Sequence, residues 1–538
     1  MSEEKQENIT GFDYLGLERV VLDPVEIPTT SDVEKKSWLR KSPQRKKPKV
    51  AVFTTHGMGQ QLPFQTLDAV AKGLIKTAAE RHKDAVQDPK LPIQAQTVKI
   101  GDQTVSRLVF DMTDANGKEV EVHIYESYWA YFTEGQVNLR DVLSFLYAAA
   151  FNGFLNGLRQ FKRWIFGRSV PFKITGKTPK NLLLAALVLS SLIFMNALAG
   201  LVWAGRFAAP GAGSQTHSWP DDSLFTLLTW ELGVFVTITT ALFLCFYFVM
   251  KWKGYVKTPA HNALWRSANN ILNGLVWSWY FFTILVGLAM GVAVVWGSFW
   301  GSSFKNVVSV ANPTSLKALV VVWGLLLGVS WMVRHLLIQY MGDVAAYVRP
   351  HYLSRFADVR RSIKQAVIGV LRGIYQAKDS DGTPLYERVG IIAHSLGSVI
   401  SYDALNFLLN ADYLTGEPLQ VRARTRVFLT FGSPLDKTAY IFGLQGSETS
   451  DTREALAASR QPLILKYQPF REHLTWINVY SKRDIISGSL DFYDDSNVCP
   501  NEKYLVKNTV DPDALIPLAA HTEYWENSTI WKKFYEAL

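Results

Sequence analysis

One short stretch of the sequence carries a serine in a setting that favours nucleophilic chemistry. The run from Ile391 to Ser398 reads IIAHSLGS, so an apolar β-like segment passes into the pattern small-x-Ser-x-Gly and then into a helix-like segment. Such a turn is strained, and it needs small residues two positions before and after the serine because neighbouring backbone passes closely. The pattern predicts that the Ser395 hydroxyl stands clear of a sheet, above a helix N-terminus.

This stretch resembles the nucleophile elbow of the α/β-hydrolase superfamily, especially that of its lipase-like members. Ala393 stands where glycine is usual, and alanine is small enough for the turn. The resemblance implies a parallel-sheet α/β fold and a reaction in which Ser395 attacks a carbonyl carbon. A hydroxyl is a poor nucleophile unless a histidine accepts its proton and a carboxylate orients that histidine.

The family places the acid and then the histidine after the serine along the chain, which limits the base to His473 or His521. His521 lies near the C-terminus, where the family has its base. His473 precedes a predicted strand and would come ahead of the acid. We therefore prefer His521.

For the acid, Asp484 follows the predicted strand Trp476–Tyr480, at the sheet edge where ligands bind in such folds. Asp436, which follows the preceding strand, is the alternative, since some hydrolases carry the acid there. We prefer Asp484. The intervening segment 437–473 occupies the usual place of a cap and is either a lid or an ordinary surface excursion.

The resemblance also implies an oxyanion hole, in which two backbone N–H groups face the carbonyl oxygen as it gains charge. One donor is Leu396, the residue after the serine. The other is Met58, within a stretch, His56 to Gly59, that is similar to the family's His-Gly motif. His56 precedes the serine, so its place in the chain argues against its being the base.

Alternating strand-like and helix-like segments surround these residues and indicate the α/β class, with a parallel sheet covered on both faces. The predicted strands are Lys49–Thr55, Thr104–Met112, Val120–Tyr125, Val389–Ala393, Thr425–Phe431 and Trp476–Tyr480. The predicted helices are Phe64–His82, Asp343–Gln376 and Gly397–Leu409.

The composition separates the chain into two unlike parts. Over 538 residues the net charge is +9, and only 19% of residues are charged. Residues 181–340 contain only 11 charged side chains, whereas the remainder has the charge content of an ordinary globular domain. The composition excludes a disordered or collagen-like chain. The two cysteines, Cys245 and Cys499, are too far apart in sequence to indicate a disulfide scaffold or a metal site.

Four segments of the charge-poor block predict membrane-spanning helices, which need about 20 apolar residues. They are Asn181–Gly205, Leu224–Met250, Ile271–Trp300 and Ala318–Val333. Lysine and arginine ahead of the first segment and between the second and third predict that both ends of the block face the cytoplasm. The expected location is therefore multi-pass in an inner (plasma) membrane, with the hydrolase domain and both termini cytoplasmic.

These assignments make the fold an α/β-hydrolase domain split by an inserted bundle of four transmembrane helices. The uncharged run Val142–Leu158 contains Asn152 and Asn156, and we interpret it as an interfacial or core helix. The expected parts are a basic, partly flexible N-terminal segment (1–48), a first part of the hydrolase domain (49–141), an interfacial or linker helix (142–180), the transmembrane block (181–340) and a second part of the hydrolase domain (341–538).

The sequence thus predicts a membrane-embedded serine ester hydrolase of lipase or phospholipase type, which cleaves acyl esters of membrane lipids through an acyl-Ser395 intermediate. The expected partners are a lipid or acyl-ester substrate and the bilayer, without nucleic acid, cofactor or metal, and the oligomeric state stays open. An acyltransferase or thioesterase with the same triad is one alternative. A non-catalytic membrane scaffold or sensor with a hydrolase-like domain is another.

Overall fold

The computed structural model describes thirteen continuous ranges of the chain and scattered positions within 186–196 and 324–335. The ranges are 47–59, 62–82, 93–100, 103–134, 136–156, 161–165, 168–172, 342–348, 354–438, 473–484, 486–493, 505–514 and 520–538.

Ten strands occur in these ranges, and eight of them form one mixed sheet. They are β1 (Lys49–Thr55), β2 (Gln94–Ile100), β3 (Gln103–Thr113), β4 (Glu119–Glu126), β5 (Phe161–Ile165), β6 (Arg168–Phe172), β7 (Arg388–His394), β8 (Thr425–Phe431), β9 (Thr475–Tyr480) and β10 (Lys507–Val510). The sheet order is β10-β9-β8-β7-β1-β4-β3-β2, and β5 and β6 form a separate antiparallel pair. From β10 to β4 all neighbours are parallel, while β3 and β2 join antiparallel. The carboxyl ends of six strands therefore meet at one edge.

Helices cover both faces of this sheet. They are α1 (Gln65–Arg81), α2 (Leu139–Asn156), α3 (Gly342–Val348), α4 (Ser354–Gln376), α5 (Leu396–Leu414), α6 (Val421–Arg424), α7 (Ala520–Glu523) and α8 (Ser528–Ala537), with 3-10 turns at Ala130–Phe132 and Asp491–Tyr493. α1 and α8 pack on one face, and α4 and α5 pack on the other. Strand β1 is buried on both sides, because Val50 and Val52 enter one core and Ala51 and Phe53 enter the other. This explains its nearly continuous apolar sequence.

The predicted strands are all present, and β1 and β8 have the predicted ends. The single helix expected over Asp343–Gln376 is instead two helices, α3 and α4, with residues 349–353 between them outside the described ranges. Strands β2, β5, β6 and β10 and the C-terminal helix α8 were not predicted, and β5 and β6 lie within 142–180, where a linker helix was expected.

The prediction of an inserted bundle of four transmembrane helices is wrong. In the part of the chain that the structure describes, no helix is long and apolar enough to cross a membrane. The four predicted spans themselves fall within 181–340, almost wholly outside the described residues. The multi-pass inner-membrane location and the cytoplasmic orientation were inferred from those spans, and we withdraw them. The fold class is α/β with a mixed eight-stranded sheet, and the domain boundaries stay predictions.

Helix α2 illustrates why a charge-poor run does not by itself predict a membrane span. It covers most of the uncharged run that begins at Val142, and the side chains of Val142, Phe145 and Leu146 are buried in the core on one face of the sheet. Apolar helices are stable wherever their apolar side chains leave water, and a protein core satisfies this as lipid does. We expected either an interfacial helix or a core helix here, and the burial of these three side chains fits a core helix.

Candidate active site

Ser395 lies in a strained turn between the end of β7 and the start of α5. Its φ of 52° and ψ of −128° are unusual for a residue that carries a Cβ, and such conformations cost about 1–3 kcal/mol. Gly397 makes the turn possible, because a Cβ at this position would lie 2.3 Å from the carbonyl oxygen of His56 and 2.7 Å from that of Thr55. The strain and the close approach predicted from the small-x-Ser-x-Gly pattern are both present.

Hydrogen bonds from neighbouring strands and loops hold this turn in place. The Ser395 N–H donates to the carbonyl oxygen of Phe431 at 3.0 Å. The Ser398 hydroxyl donates to the Ser395 carbonyl oxygen and is itself bonded to the Ser433 hydroxyl at 2.6 Å. On the other side, the Thr55 hydroxyl donates to the Gly397 carbonyl oxygen at 2.9 Å. The strained conformation is therefore fixed from β1 and from the segment that follows β8.

The structure brings Ser395, His521 and Asp484 into one hydrogen-bonded relay. Ser395 Oγ lies 2.8 Å from His521 Nε2, and His521 Nδ1 lies 2.9 Å from Asp484 Oδ2. The carboxylate accepts the proton on Nδ1, which leaves the lone pair of Nε2 facing the serine hydroxyl. All three residues are buried, and Ser395 has no exposed surface. This arrangement suits a histidine that takes a proton from Ser395.

The Asp484 carboxylate is stabilised in its charged form. Its Oδ1 accepts the Ile486 N–H at 2.8 Å, and its Oδ2 also accepts the Tyr524 hydroxyl at 2.9 Å. Burial on its own raises the pKa of this carboxyl, but the hydrogen bonds that it accepts, the one from His521 foremost, outweigh burial and hold the pKa well below its usual range. Asp484 is therefore ionised at neutral pH.

His521 is oriented by its backbone as well as by its ring. His394, the residue before the serine, donates from Nε2 to the His521 carbonyl oxygen at 2.9 Å, and the two rings lie 4.9 Å apart. Burial lowers the pKa of His394 to about 3, so its ring is neutral and adds no positive charge beside the base. His394 lies within the small-x-Ser-x-Gly motif, but the sequence predicted no role for it.

The two alternative residues lie outside the relay. His473 is exposed ahead of β9. Asp436 accepts the Phe492 N–H at 3.2 Å, which ties it to a 3-10 turn. The neighbouring Lys437 donates to the carbonyl oxygens of Ile486 and Ser487 and so supports the loop that carries Asp484. The possible lid over 437–473 lies almost entirely outside the described residues.

The two predicted oxyanion donors are each next in sequence to a residue of one close contact, since Leu396 follows Ser395 and Met58 follows Gly57. Leu396 opens α5, and the first N–H groups of a helix have no partner within it. Residues 56–59, which we name the oxyanion loop, follow β1, and β1 pairs directly with β7. A Cβ on Gly57 would lie 2.8 Å from the Ser395 Cβ, so the loop touches the serine next to Met58.

His56 shapes the oxyanion loop and takes no part in the relay. Its Nε2 accepts the Trp129 N–H at 3.1 Å, while its Nδ1 donates to the Gly57 carbonyl oxygen at 2.9 Å. Its ring stacks on the Trp129 indole with centroids 4.7 Å apart. Burial lowers its pKa to about 4, which keeps it neutral. Both ring nitrogens are therefore occupied, in agreement with its exclusion as the base.

Comparison with known proteins does not assign the chain to a family, because no protein-family model, curated protein or solved structure matches it. Among the residues that the structure describes, no three His, Cys, Asp or Glu side chains are grouped so as to hold a metal ion. The geometry of the site is therefore the basis for a proposal about its chemistry.

Proposed function

We propose that the chain is a serine hydrolase that cleaves carboxylic esters through an acyl-Ser395 intermediate, and that it is related to the α/β-hydrolases. The relay from Asp484 through His521 to Ser395, placed on a strained strand-to-helix turn, is the observation that carries the proposal. A membrane lipid was expected as substrate because of the transmembrane block, and no helix among the described residues could cross a membrane. The proposed substrates are therefore carboxylic esters as a class.

In the first half of the reaction, Ser395 Oγ attacks the ester carbonyl carbon while His521 Nε2 takes the hydroxyl proton. The N–H groups of Met58 and Leu396 bind the oxygen that becomes negative, and Asp484 stabilises the imidazolium. When the tetrahedral intermediate collapses, the C–O bond to the alcohol breaks and His521 returns its proton to the departing oxygen. The acyl group stays on Ser395.

In the second half, water attacks the acyl carbon and His521 takes a proton from that water. Collapse of the second intermediate breaks the bond to Ser395 Oγ, which regains its proton from His521. The products are the carboxylic acid, the alcohol and the unchanged enzyme. An alcohol or thiol in place of water would give acyl transfer with the same residues.

A fluorophosphonate probe and a series of p-nitrophenyl esters test this proposal on the full chain. The wild type should be labelled and should release p-nitrophenol, and Ser395→Ala should do neither. Ser380→Ala, at an exposed serine in the turn before the amino end of β7 and thus at the opposite end of that strand from Ser395, should behave as the wild type. Equal labelling of wild type and Ser395→Ala would refute the assignment of the nucleophile, and an unreactive, folded wild type would favour the non-catalytic alternative.

Product analysis in the presence of added alcohols and thiols separates hydrolysis from acyl transfer. A hydrolase should yield mainly the free acid at every acceptor concentration. Predominant formation of a new ester or thioester would instead assign the same relay to an acyltransferase.

A further inference from the structure

A buried carboxylate from a distant part of the chain is bonded to the oxyanion loop. Asp343 Oδ2, on α3, accepts the Gly59 N–H at 2.8 Å, although the two residues are 284 positions apart in sequence. The Thr133 side chain lies near this carboxyl and lowers its pKa, while the Thr133 hydroxyl donates to the Ala130 carbonyl oxygen at 2.9 Å. Gly59 directly follows Met58, so the hydrogen bond holds the peptide plane next to the proposed oxyanion donor.

A carboxylate is an expensive side chain to bury at this place. Asp343 is 8% exposed, and its helix α3 is buried along its whole length. Burial raises the pKa of Asp343 to about 6, and the Gly59 N–H together with the nearby Thr133 side chain offset that rise only in part. An apolar side chain would avoid the desolvation cost. What a carboxylate adds here is an acceptor for the Gly59 N–H.

The oxyanion loop is consequently fixed at both ends. Its first residue, His56, is bonded and stacked against Trp129. Its last residue, Gly59, is bonded to Asp343. Met58 lies between these two anchors, and Gly57 touches Ser395. The direction of the Met58 N–H therefore depends on both contacts.

We infer that Asp343 is a positioning residue, which holds the oxyanion loop so that the Met58 N–H points at the carbonyl oxygen of the substrate. This inference rests on the proposed function, since an oxyanion forms only if Ser395 attacks an ester. Asp343 touches neither Ser395 nor the substrate carbonyl in this mechanism. Its effect passes through the backbone of residues 58 and 59.

The test compares Asp343→Ala and Asp343→Asn with a matched control. In Asp343→Ala the Gly59 N–H loses its acceptor, and kcat and kcat/KM should fall together by about 10- to 100-fold with KM little changed. Outright loss of one oxyanion donor costs about 100- to 1,000-fold, and a misdirected donor costs less. Asp343→Asn keeps an acceptor oxygen and should recover most of the lost activity. Rates are expressed per active site titrated with the fluorophosphonate.

Asp412 supplies the control, because it is another buried carboxylate that accepts backbone N–H groups, from Leu419 and Val421 at 2.7 and 2.8 Å. It lies near the far end of α5, roughly 24 Å along the helix from Ser395. Asp412→Ala should lower the melting temperature and leave kcat/KM per titrated site unchanged. Comparison of Asp343→Ala with Asp412→Ala thus separates the effect of losing a buried carboxylate from the effect of displacing the oxyanion loop.

A trifluoromethyl ketone, which forms a tetrahedral adduct with the serine, gives a second readout. Its Ki should rise in Asp343→Ala by the same factor by which kcat/KM falls. Wild-type kcat/KM and Ki in this variant would overturn the inference while leaving the proposed function intact, provided that Ser395→Ala is inactive. If the folded wild type hydrolyses no ester, both the proposed function and the inference about Asp343 are overturned. If Asp343→Ala does not fold, Asp343→Leu, which removes the acceptor and keeps a side chain of similar size, should show the same parallel change, and wild-type values there would overturn the inference.

Discussion

Ser395 lies between two regions that are held in place by different physical means. The acid–base region, which comprises Asp484, His521 and Tyr524, is joined by hydrogen bonds between ionisable side chains. The oxyanion loop is a stretch of backbone, and its direction is set by close packing against Ser395 and by contacts at its two ends. In the proposed mechanism, the acid–base region controls where a proton is, and the oxyanion loop controls where the Met58 N–H points.

The two regions also differ in how their surroundings shift the pKa values of their side chains. In the acid–base region, accepted hydrogen bonds depress the pKa of Asp484 and keep a full negative charge beside the base. Beside the oxyanion loop, burial moves pKa values toward the neutral forms, lowering that of His56 to about 4 and raising that of Asp343 to about 6. His56 is therefore neutral at pH 7, whereas Asp343 is still mainly ionised and its carboxylate is engaged by the Gly59 N–H. Charge substitutions should therefore damage the first region most, and steric substitutions the second.

Asp484→Asn should give the largest effect, because it alters the proton relay without altering its shape. An asparagine amide can donate to His521 Nδ1, which moves the ring proton to Nε2 and removes the acceptor for the Ser395 proton. By analogy with the same change in a serine protease triad, kcat should fall about 10,000-fold. Steady-state ester hydrolysis measures this loss, and circular dichroism checks that the fold is kept.

Asp436→Asn is the matched control for that variant, because Asp436 was the alternative acid and an asparagine there keeps an acceptor for the Phe492 N–H. Its kcat should stay within about threefold of wild type, since the altered carboxyl lies outside the relay. If Asp436→Asn were the more damaging of the two, the acid would be Asp436 and the observed relay would not be the working one.

Gly57→Ala should give the next largest effect, and it tests the oxyanion loop by shape alone. The new Cβ would lie 2.8 Å from both the Ser395 Cβ and His394 Nδ1, so the loop has to shift. We expect kcat to fall about 100-fold, near the cost of losing one oxyanion donor, with the pH dependence of the remaining activity unchanged. Gly369→Ala is the control, because a Cβ there meets only the end of the Gln103 side chain at 3.2 Å. Wild-type kcat in Gly57→Ala would mean that the loop does not supply a donor.

Sequence reasoning located the residues that stand close to recognisable strands. Ser395 and Asp484 follow apolar strands at their carboxyl ends, and parallel pairing of β7, β8 and β9 brings those ends together. His521 was found by its order along the chain. The structure places it against Asp484 and Ser395. The local strain at Ser395 was likewise foreseeable, since the small-x-Ser-x-Gly pattern has few other uses between a strand and a helix.

The strands and contacts that were not predicted from the sequence have no local signal in it. Strands β2 and β10 have mainly exposed, polar residues and lie at the two edges of the sheet, so no apolar run marks them. Asp343 supports Gly59 across 284 positions, and no spacing rule reveals such a contact. Tyr524 offered a weak signal, since it comes three residues after His521. The membrane prediction failed for a different reason, because long apolar segments were treated as specific for lipid although such segments also form buried core helices.

Glu126→Gln should give the smallest effect on activity and a measurable effect on stability. Glu126 ends β4 beside Thr54 of β1, and burial raises its pKa from 4.5 to about 7 despite hydrogen bonds from Thr66 and the Phe64 backbone. A carboxyl whose pKa is higher in the folded state stabilises the fold below its unfolded pKa, and this contribution is lost as pH rises through about 7. From pH 4.5 to 8 the wild type should therefore lose up to roughly 3 kcal/mol of unfolding free energy relative to Glu126→Gln.

Urea unfolding of both proteins at several pH values measures this difference, while kcat at neutral pH should agree within about twofold. Since glutamine keeps the shape and an acceptor oxygen, the comparison isolates the charge. Equal slopes of unfolding free energy against pH would show that Glu126 keeps an ordinary pKa in the fold. A large loss of kcat would instead extend the charge-sensitive part of the site from the acid–base region to the strand beside the oxyanion loop, and the contrast between the two regions would then fail.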